Sequence, residues 1–417
     1  MSPVPTFQEA ARFWVRLGFI SFGGPAGQIA ILHREVVEQK RWLAERAFVD
    51  ALNFCMLLPG PEALQLAIYL GWRLHGTRGG LVAGLAFILP AIVLLLALSW
   101  IYAAYGRVPT LAGVLLGLKA AVLGLVLQAL ERLGRRALRT PVHAALAVGA
   151  LVAMLTGGLP FPVLMLGAAL AGYLITPRSA ATASPPVPVA PMRGVRVLGT
   201  AAVLWLVPLL LVAGALGPDS IFARVYLFFS KAALVTFGGA YAVLGYVTQH
   251  LVHDLGWLTA EQSVAGLALA ETTPGPLVIV LQFMGFMAGW NQPAPLAAGV
   301  AAILAALLAA WATFLPSFAF IFAGAPYVER LAHAPRISGA LAAITAAVVG
   351  VIAALLVQLV VAVLWPHGMT AGIDVPALVI ALVAAMLLRT SLALHWVLAL
   401  CAIAGVVSST EIFSAFL

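Results

Sequence analysis

Two Pro-Gly-Pro triplets interrupt apolar stretches of this sequence. Proline and glycine break helices, so these triplets are the first candidates for a binding site. They stand at Pro59–Pro61 and Pro274–Pro276, and each lies downstream of a Phe-Gly-Gly triplet, at 22–24 and 237–239. An interior proline costs a helix about 3 kcal/mol or more, because it removes a donor and clashes with the preceding turn. Each break therefore predicts the end of one half-helix and the start of another. The unpaired N–H groups and positive dipole end of the new half-helix can bind an anion.

Together the four breaks predict a binding site for a small oxyanion, which accepts hydrogen bonds on every side. The predicted substrate-binding residues in the breaks are Gly23, Gly24, Pro25, Pro59, Gly60, Pro61, Gly238, Gly239, Pro274, Gly275 and Pro276. Glycine and proline are also frequent in membrane helices generally, where a kink can serve packing alone. The recurrence of both triplets at the same spacing favours a binding site.

Polar side chains near the breaks extend the predicted substrate site. Arg16 and Lys231 each stand six residues before a Phe-Gly-Gly triplet. Both could attract an anion, and both are long enough to reach the membrane surface instead. Asn53, Thr272 and Thr273 are further candidates, because they offer hydrogen bonds.

Two carboxyl groups lie beside the Pro-Gly-Pro triplets. Glu62 follows the first triplet directly, and Glu271 stands three residues before the second. An ionised carboxylate opposes a bound anion, whereas burial favours the protonated form. Glu62 and Glu271 are therefore candidates for coupling transport to protons, with helix capping or cavity lining as the alternative. Lys119, in another apolar segment, could line a cavity or pair with a distant acid.

Composition identifies the class of protein. The 417 residues are 63% hydrophobic and 9% charged, far below the quarter that is charged in ordinary soluble domains. Apolar stretches of about 20 residues are long enough to cross a bilayer. The prediction is an all-α polytopic membrane protein. Its net charge of +8 is typical of basic cytoplasmic loops and does not indicate nucleic-acid binding.

Common catalytic signatures are absent from the sequence. It contains no Walker loop, dinucleotide fingerprint, HExxH or GxSxG motif, and its two cysteines lack metal-ligand spacing. The prediction is therefore a protein that is not an enzyme and has no cofactor or metal centre.

The chain also repeats itself. A shift of 215 residues superimposes both triplets and places Trp42-Leu43 on Trp257-Leu258. Rare residues sharing one register predict a duplication. The link at 33–46 is basic, whereas its counterpart at 248–262 contains no lysine or arginine. By the positive-inside rule the two links lie on opposite membrane faces, so the repeats are predicted to have inverted topology.

The predicted architecture is two inverted repeats with broken or re-entrant helices and a cytoplasmic N-terminus. Residues 7–32 and 47–72 are expected to enter the membrane and return, with a loop at 73–78. The predicted divisions are a first repeat at 1–140, a connecting hairpin, Pro/Ala-rich linker and crossing helix at 141–220, a second repeat at 221–365, and a C-terminal hairpin at 366–417. Stripes of small residues suit close helix packing, either within one chain or between two chains, so a homodimer is an open alternative.

The segments LGFISFGGP, RWLAERAFVDALNFCMLLPGP and ALVTFGGAYAVLGYVTQHLV resemble the chromate ion transporter (CHR) family in its long two-domain form. The resemblance covers essentially the whole chain. It implies a bacterial inner-membrane protein that exports chromate, driven by the membrane potential or a proton gradient. The second half reads FGGA where the first reads FGGP, which makes its break less certain. Transport of sulfate or another inorganic anion, and an anion channel, remain open alternatives.

Overall fold

The structure is a computed structural model that describes residues 5–22, 24–106, 108–177, 191–237, 240–327, 335–366, 368–390 and 392–409. Every regular element in these ranges is a helix, which confirms the predicted all-α class. Gly23, Gly238 and Gly239 of the predicted site lie outside the described residues, as does 178–190 of the predicted linker. Residues 191–196, the end of the Pro/Ala-rich stretch at 177–196, are the first turns of a helix.

The described residues of the first half form seven α-helices. They are α1 (Phe7–Ile20), α2 (Gly24–His33), α3 (Glu45–Leu57), α4 (Glu62–Tyr105), α5 (Pro109–Ala137), α6 (Pro141–Thr156) and α7 (Phe161–Ile175), and a π-helix (Arg34–Gln39) continues α2. Prolines begin α5 and α6, where a missing N–H costs nothing because the first amides of a helix have no intrahelical acceptor. The last two helices, α6 and α7, follow each other closely and form a hairpin.

A connecting helix leads into a second set in the same order. These helices are α8 (Pro191–Leu216), α9 (Ile221–Leu234), α10 (Ala240–Gln249), α11 (Ala260–Glu271), α12 (Val280–Asn291), α13 (Ala298–Gly324), α14 (Pro335–Leu364), α15 (Val375–Leu387) and α16 (Leu394–Ser409). A second π-helix (His250–Asp254) continues α10, as the first continues α2. The recurrence of a π-helix, an uncommon element, at the same place agrees with a duplication.

Five of the described helices are long and apolar enough to cross a membrane: α4, α5, α8, α13 and α14. This confirms a polytopic membrane protein. The membrane orientation of the two halves and the predicted division at 140, 220 and 365 remain predictions.

The longest helix, α4, folds back on itself. Its backbone leaves the helical region at His75 and Gly76, where Gly76 has φ +61°. A Cβ on Gly71 would lie 2.6 Å from the Cβ of Ala83, although twelve residues of straight helix span about 18 Å. The chain therefore reverses inside the predicted 73–78 loop and forms two arms, residues 62–74 and 77–105, which pack through glycine.

Three links of the first half lie close together, as the re-entrant reading expects. The His75 ring is 2.9 Å from the carbonyl oxygen of Pro5, at the start of α1. The Trp42 ring, between α2 and α3, packs edge-on against Phe13 of α1 at 5.2 Å. The segments before and after each break thus begin and end near one another.

The hairpins are exchanged between the halves. The α6–α7 hairpin packs on α14, and the α15–α16 hairpin packs on α5. Glycine allows backbones to touch at both contacts: a Cβ on Gly117 would overlap the Cys401 carbonyl, and one on Gly350 would overlap the Ala147 carbonyl. Each half therefore covers a long helix of the other.

We expect Gly117→Val to destabilise the fold by about 3 kcal/mol, because the added side chain must push α16 away from α5. Thermal unfolding of the purified protein in detergent measures the effect. Gly149→Val is the matched control, since Gly149 is an exposed helical glycine and a Cβ added there would meet nothing within 4 Å. Equal losses of stability in the two variants would contradict the close packing of α5 and α16.

Candidate anion-binding site

The second Pro-Gly-Pro triplet, Pro274–Pro276, is held by the first half; we refer to it as the second corner. The Gly275 amide donates a 2.8 Å hydrogen bond to the Ser21 carbonyl, directly before the first Phe-Gly-Gly triplet. The Gln28 side-chain amide donates to the carbonyls of both Ser21 and Gly275. Gln28 is 1% exposed and so fixes the corner from within the core.

The first triplet, Pro59–Pro61, is held in the same way by the second half; we refer to it as the first corner. The Gly60 amide donates a 2.8 Å hydrogen bond to the Thr236 carbonyl, directly before the second Phe-Gly-Gly triplet. The 215-residue shift places Ser21 on Thr236 and Gly60 on Gly275, so the two bonds are counterparts. The Gln65 side chain supports this corner by donating to the Pro59 carbonyl at 2.7 Å.

Both corners lie deep along long helices of the opposite half. A Cβ on Gly275 would lie 2.8 Å from the Cβ of Ala91, which stands midway along the 77–105 arm of α4. A Cβ on Gly60 would lie 2.8 Å from the Oγ of Ser317, inside α13. Since about 14 residues of helix separate Ala91 from either end of its arm, the second corner lies about 21 Å from each end.

Each corner starts a helix without a side-chain cap among the described residues. Pro61 precedes α4 and Pro276 precedes a 3₁₀ turn, Leu277–Ile279, that leads into α12. The first amides of such helices have no intrahelical acceptor and carry the positive end of the dipole. Glu62 is the half-buried first residue of α4, where the same dipole favours a negative charge. A structural role at the helix start therefore accounts for the position of Glu62 as well as a role in proton transfer does.

The Glu271 carboxyl group is the most enclosed acid near the corners. Glu271 is 7% exposed, and the Tyr241 hydroxyl donates to its Oε1 at 2.6 Å. Tyr241 stands at the start of α10, just after the second Phe-Gly-Gly triplet. Tyr241 thus joins the second Phe-Gly-Gly break to the second corner. The four breaks are consequently linked through Gly60–Thr236, Tyr241–Glu271 and Gly275–Ser21.

A cavity of about 330 Å³ opens beside this chain of contacts. Its lining includes Phe22 of the first Phe-Gly-Gly triplet, Glu271 and Thr272, and residues of α16, among them His395. Glu271 is thus the acid that borders this space, next to two of the breaks.

The hydroxyl groups of Thr272 and Thr273 donate to the carbonyls of Leu269 and Ala270 at 2.7 and 2.8 Å. Their protons are committed to the backbone in this conformation, which leaves them no donor for an anion. The predicted binding role of the two threonines therefore remains a prediction.

Four other predicted residues take no part in the contacts described at the corners. Arg16, Lys231 and Asn53 are exposed side chains, and none of them lines the cavity beside Glu271. Lys119 forms an ion pair with Glu261 at 2.6 Å, so of its two predicted roles the structure shows the pairing. In the ranges that the structure describes, no three His, Cys, Asp or Glu residues form a group that could hold a metal ion.

Three contributing residues were not singled out from the sequence: Gln28, Tyr241 and Ser317. Ser317 is 1% exposed, and its hydroxyl has no hydrogen-bond partner within the described part of the chain. Each is a polar residue within an apolar helix: Gln28 and Tyr241 lie a few residues after the Phe-Gly-Gly triplets, and Ser317 follows Pro316. That combination was the available signal, whereas the pairings of Gln28 with Gly275 and of Tyr241 with Glu271 join residues 247 and 30 positions apart.

Comparison with known proteins shows which family this chain is similar to. The family model described as chromate transporter matches residues 8–173 and 223–406, which together form most of the chain. A chromate transport protein of Pseudomonas aeruginosa is 33% identical over 86% of this chain and 82% of its own length. A probable chromate transport protein of Synechococcus elongatus is 29% identical over 97% of this chain and 96% of its own. No solved structure matches the chain.

Proposed function

Because the chain belongs to the chromate transporter family, we propose that it is a secondary active transporter that exports chromate across the bacterial inner membrane. The observation that carries the mechanism is the joining of the four breaks by hydrogen bonds between the halves. Secondary transporters built from repeats hold their substrate where broken helices meet near the midplane.

Chromate is a tetrahedral dianion, and it needs donors from several directions. The uncapped starts of α4 and of the 3₁₀ turn after Pro276 supply backbone N–H groups, whose dipoles offset negative charge. Ser317 supplies a hydroxyl proton at the first corner, next to Gly60. Ser317 lies against Gly60 of the first corner, whereas Ala91, which has no hydroxyl group, lies against Gly275 of the second. The two corners therefore bind unequally, and the first corner is the stronger candidate.

Glu271 supplies a means of coupling. Its carboxyl borders the cavity beside the second corner and accepts a hydrogen bond from Tyr241. An ionised Glu271 repels a dianion in the cavity, whereas a protonated one does not. A proton on this side chain and chromate are therefore proposed to move in the same direction, and the inside-negative membrane potential drives export because the pair still carries net negative charge. The first half has Met56 at the equivalent position, so coupling is assigned to the second half.

Transport into inverted membrane vesicles tests the proposal. Vesicles containing the protein are given labelled chromate, and uptake is measured with a pH gradient, with a membrane potential, and with neither. Gradient-dependent accumulation that excess sulfate leaves unchanged supports a chromate exporter. If sulfate abolishes accumulation, the protein is a transporter of broader oxyanion specificity. If chromate only equilibrates across the membrane, the protein is a channel.

We expect Ser317→Ala to raise the KM for chromate about tenfold, because a hydrogen bond to a charged group contributes about 1.5–3 kcal/mol. Thr313→Val is the matched control. Thr313 is buried on the same helix, one turn earlier, but its hydroxyl donates to the Ala309 carbonyl at 2.7 Å. Concentration-dependent uptake in the same vesicles separates KM from maximal rate. A KM that rises equally in both variants would remove Ser317 from the site.

A further inference from the structure

One exposed face of α1 combines arginine with apolar residues. Arg12, Val15, Arg16 and Phe19 are all exposed and follow the spacing of a single helix face. Trp14, on the opposite face, is buried. Neither arginine belongs to an ion pair among the described residues. In a bilayer this face meets lipid, where an unpaired cation is costly.

The same face borders an apolar groove of about 610 Å³. Val15 and Phe19 form one wall, and the 77–105 arm of α4 forms the other, with Leu89 and Val93 exposed along it. Pro274 of the second corner also lines the groove. The groove therefore reaches from the surface of α1 to one of the breaks.

The equivalent surface of the second half is covered by a helix. There α8 packs on α9 and α13. The Trp205 indole of α8 donates to the Ser230 hydroxyl at 2.8 Å, and Ser230 is the counterpart of Val15 by the 215-residue shift. The Trp311 indole of α13 donates to the Leu204 carbonyl of α8 at 3.0 Å. No described helix covers the first-half face, so one of two related surfaces is left open.

The groove has a polar end and an apolar end. α1 and the 77–105 arm start together, at Pro5 and His75, and Gly18 packs on that arm beside Pro90. The two helices therefore run in the same direction. Arg12 is about 8 Å along α1 from its first residue, whereas Val93 lies much deeper. A phospholipid has the same order of groups, with phosphate at the surface and acyl chains inside.

We propose that this groove binds an anionic phospholipid. Its headgroup phosphate pairs with Arg12 and Arg16, and one acyl chain lies along Phe19, Leu89 and Val93. Basic side chains at a membrane surface attract anionic lipids, and arginine forms strong, often bidentate bonds with phosphate. An apolar helix of a second copy would fill the groove but leave both arginines unpaired.

Occupancy of the groove places an acyl chain against Pro274. Resting on the proposed function, we expect anionic lipid to increase chromate uptake, because it supports the second corner from the lipid side. Binding itself does not depend on chromate, and it is measured separately.

Native mass spectrometry of the full-length protein, titrated with phosphatidylglycerol or phosphatidylcholine, tests the site. We expect preferential retention of phosphatidylglycerol, reduced about thirtyfold in Arg12→Gln/Arg16→Gln, as two basic residues at an anionic lipid surface imply. Lys231→Gln is the matched control, because Lys231 is the counterpart of Arg16 on the half that α8 covers. Leu89→Trp, which fills the groove, is expected to reduce retention of either lipid.

Equal retention of the two lipids, or equal losses in the arginine variant and Lys231→Gln, would overturn the proposal. So would a dimer that Leu89→Trp dissociates, since the groove would then be an interface between copies. A failure of chromate transport with lipid binding intact would overturn the proposed function and leave the lipid site standing.

Discussion

Gly275→Ala is expected to lower gradient-driven chromate uptake by about tenfold or more. Gly275 has φ +97°, a conformation that costs an alanine about 1–3 kcal/mol. The added Cβ would also lie 2.8 Å from the Cβ of Ala91, so the second corner must move away from α4. Its amide would then leave the Ser21 carbonyl. Because 1.4 kcal/mol is a factor of ten in an equilibrium constant, a modest displacement is enough.

The control for Gly275→Ala is Gly217→Ala. Gly217 has φ +94°, a Cβ added there would meet nothing within 4 Å, and the residue lies in the connection between α8 and α9. It therefore carries the same backbone strain without disturbing a corner. We expect Gly217→Ala to lose thermal stability but to retain uptake per folded molecule. Comparable uptake in both variants would remove the second corner from the transport mechanism.

The second large effect is expected for Glu271→Gln. The amide keeps the size of the side chain but cannot exchange a proton, so uptake driven by a pH gradient is expected to fall at least about tenfold. Exchange of chromate across the membrane without a gradient is expected to persist. Tyr241→Phe removes the hydrogen bond to Glu271 and is expected to change the pH dependence of uptake while retaining activity.

Vesicle uptake measured between about pH 5.5 and 8.5, a range that spans the titration of a buried carboxyl group, checks both variants. Glu131→Gln is the control, since Glu131 pairs with Arg135 and Arg389 at the end of α5, away from the cavity. If Glu271→Gln kept the uptake and pH profile of the unchanged protein, the coupling role would pass to Glu62 or to no carboxyl group at all.

The sequence predicted the helical class and the positions of the breaks, because proline and glycine act locally. Pro109 and Pro141 stand at the first positions of α5 and α6, and Gly76 stands where α4 reverses direction, as their backbone preferences require. These effects are fixed by a residue and its immediate neighbours. They can therefore be read without knowledge of the fold.

Partners across the fold could not be read in this way. Nothing local shows that the Gly60 amide meets Thr236, or that Tyr241 meets Glu271, since these pairs form only when the helices pack. The same limit applies to Arg16 and Lys231, whose spacing suggested a site although both side chains are exposed. Exposed lysine and arginine side chains on membrane helices can also extend to the interface, which remains the alternative explanation of their position.

The exchanged hairpins make each half dependent on the other. A molecule cleaved between α7 and α8 would remain one particle, because α6 and α7 still clasp α14 while α15 and α16 clasp α5. Severing the chain there removes a tether without opening an interface. Two polypeptides of about half the length, made separately, would need each other to bury their long helices. A single chain supplies the two interlocked parts in equal numbers.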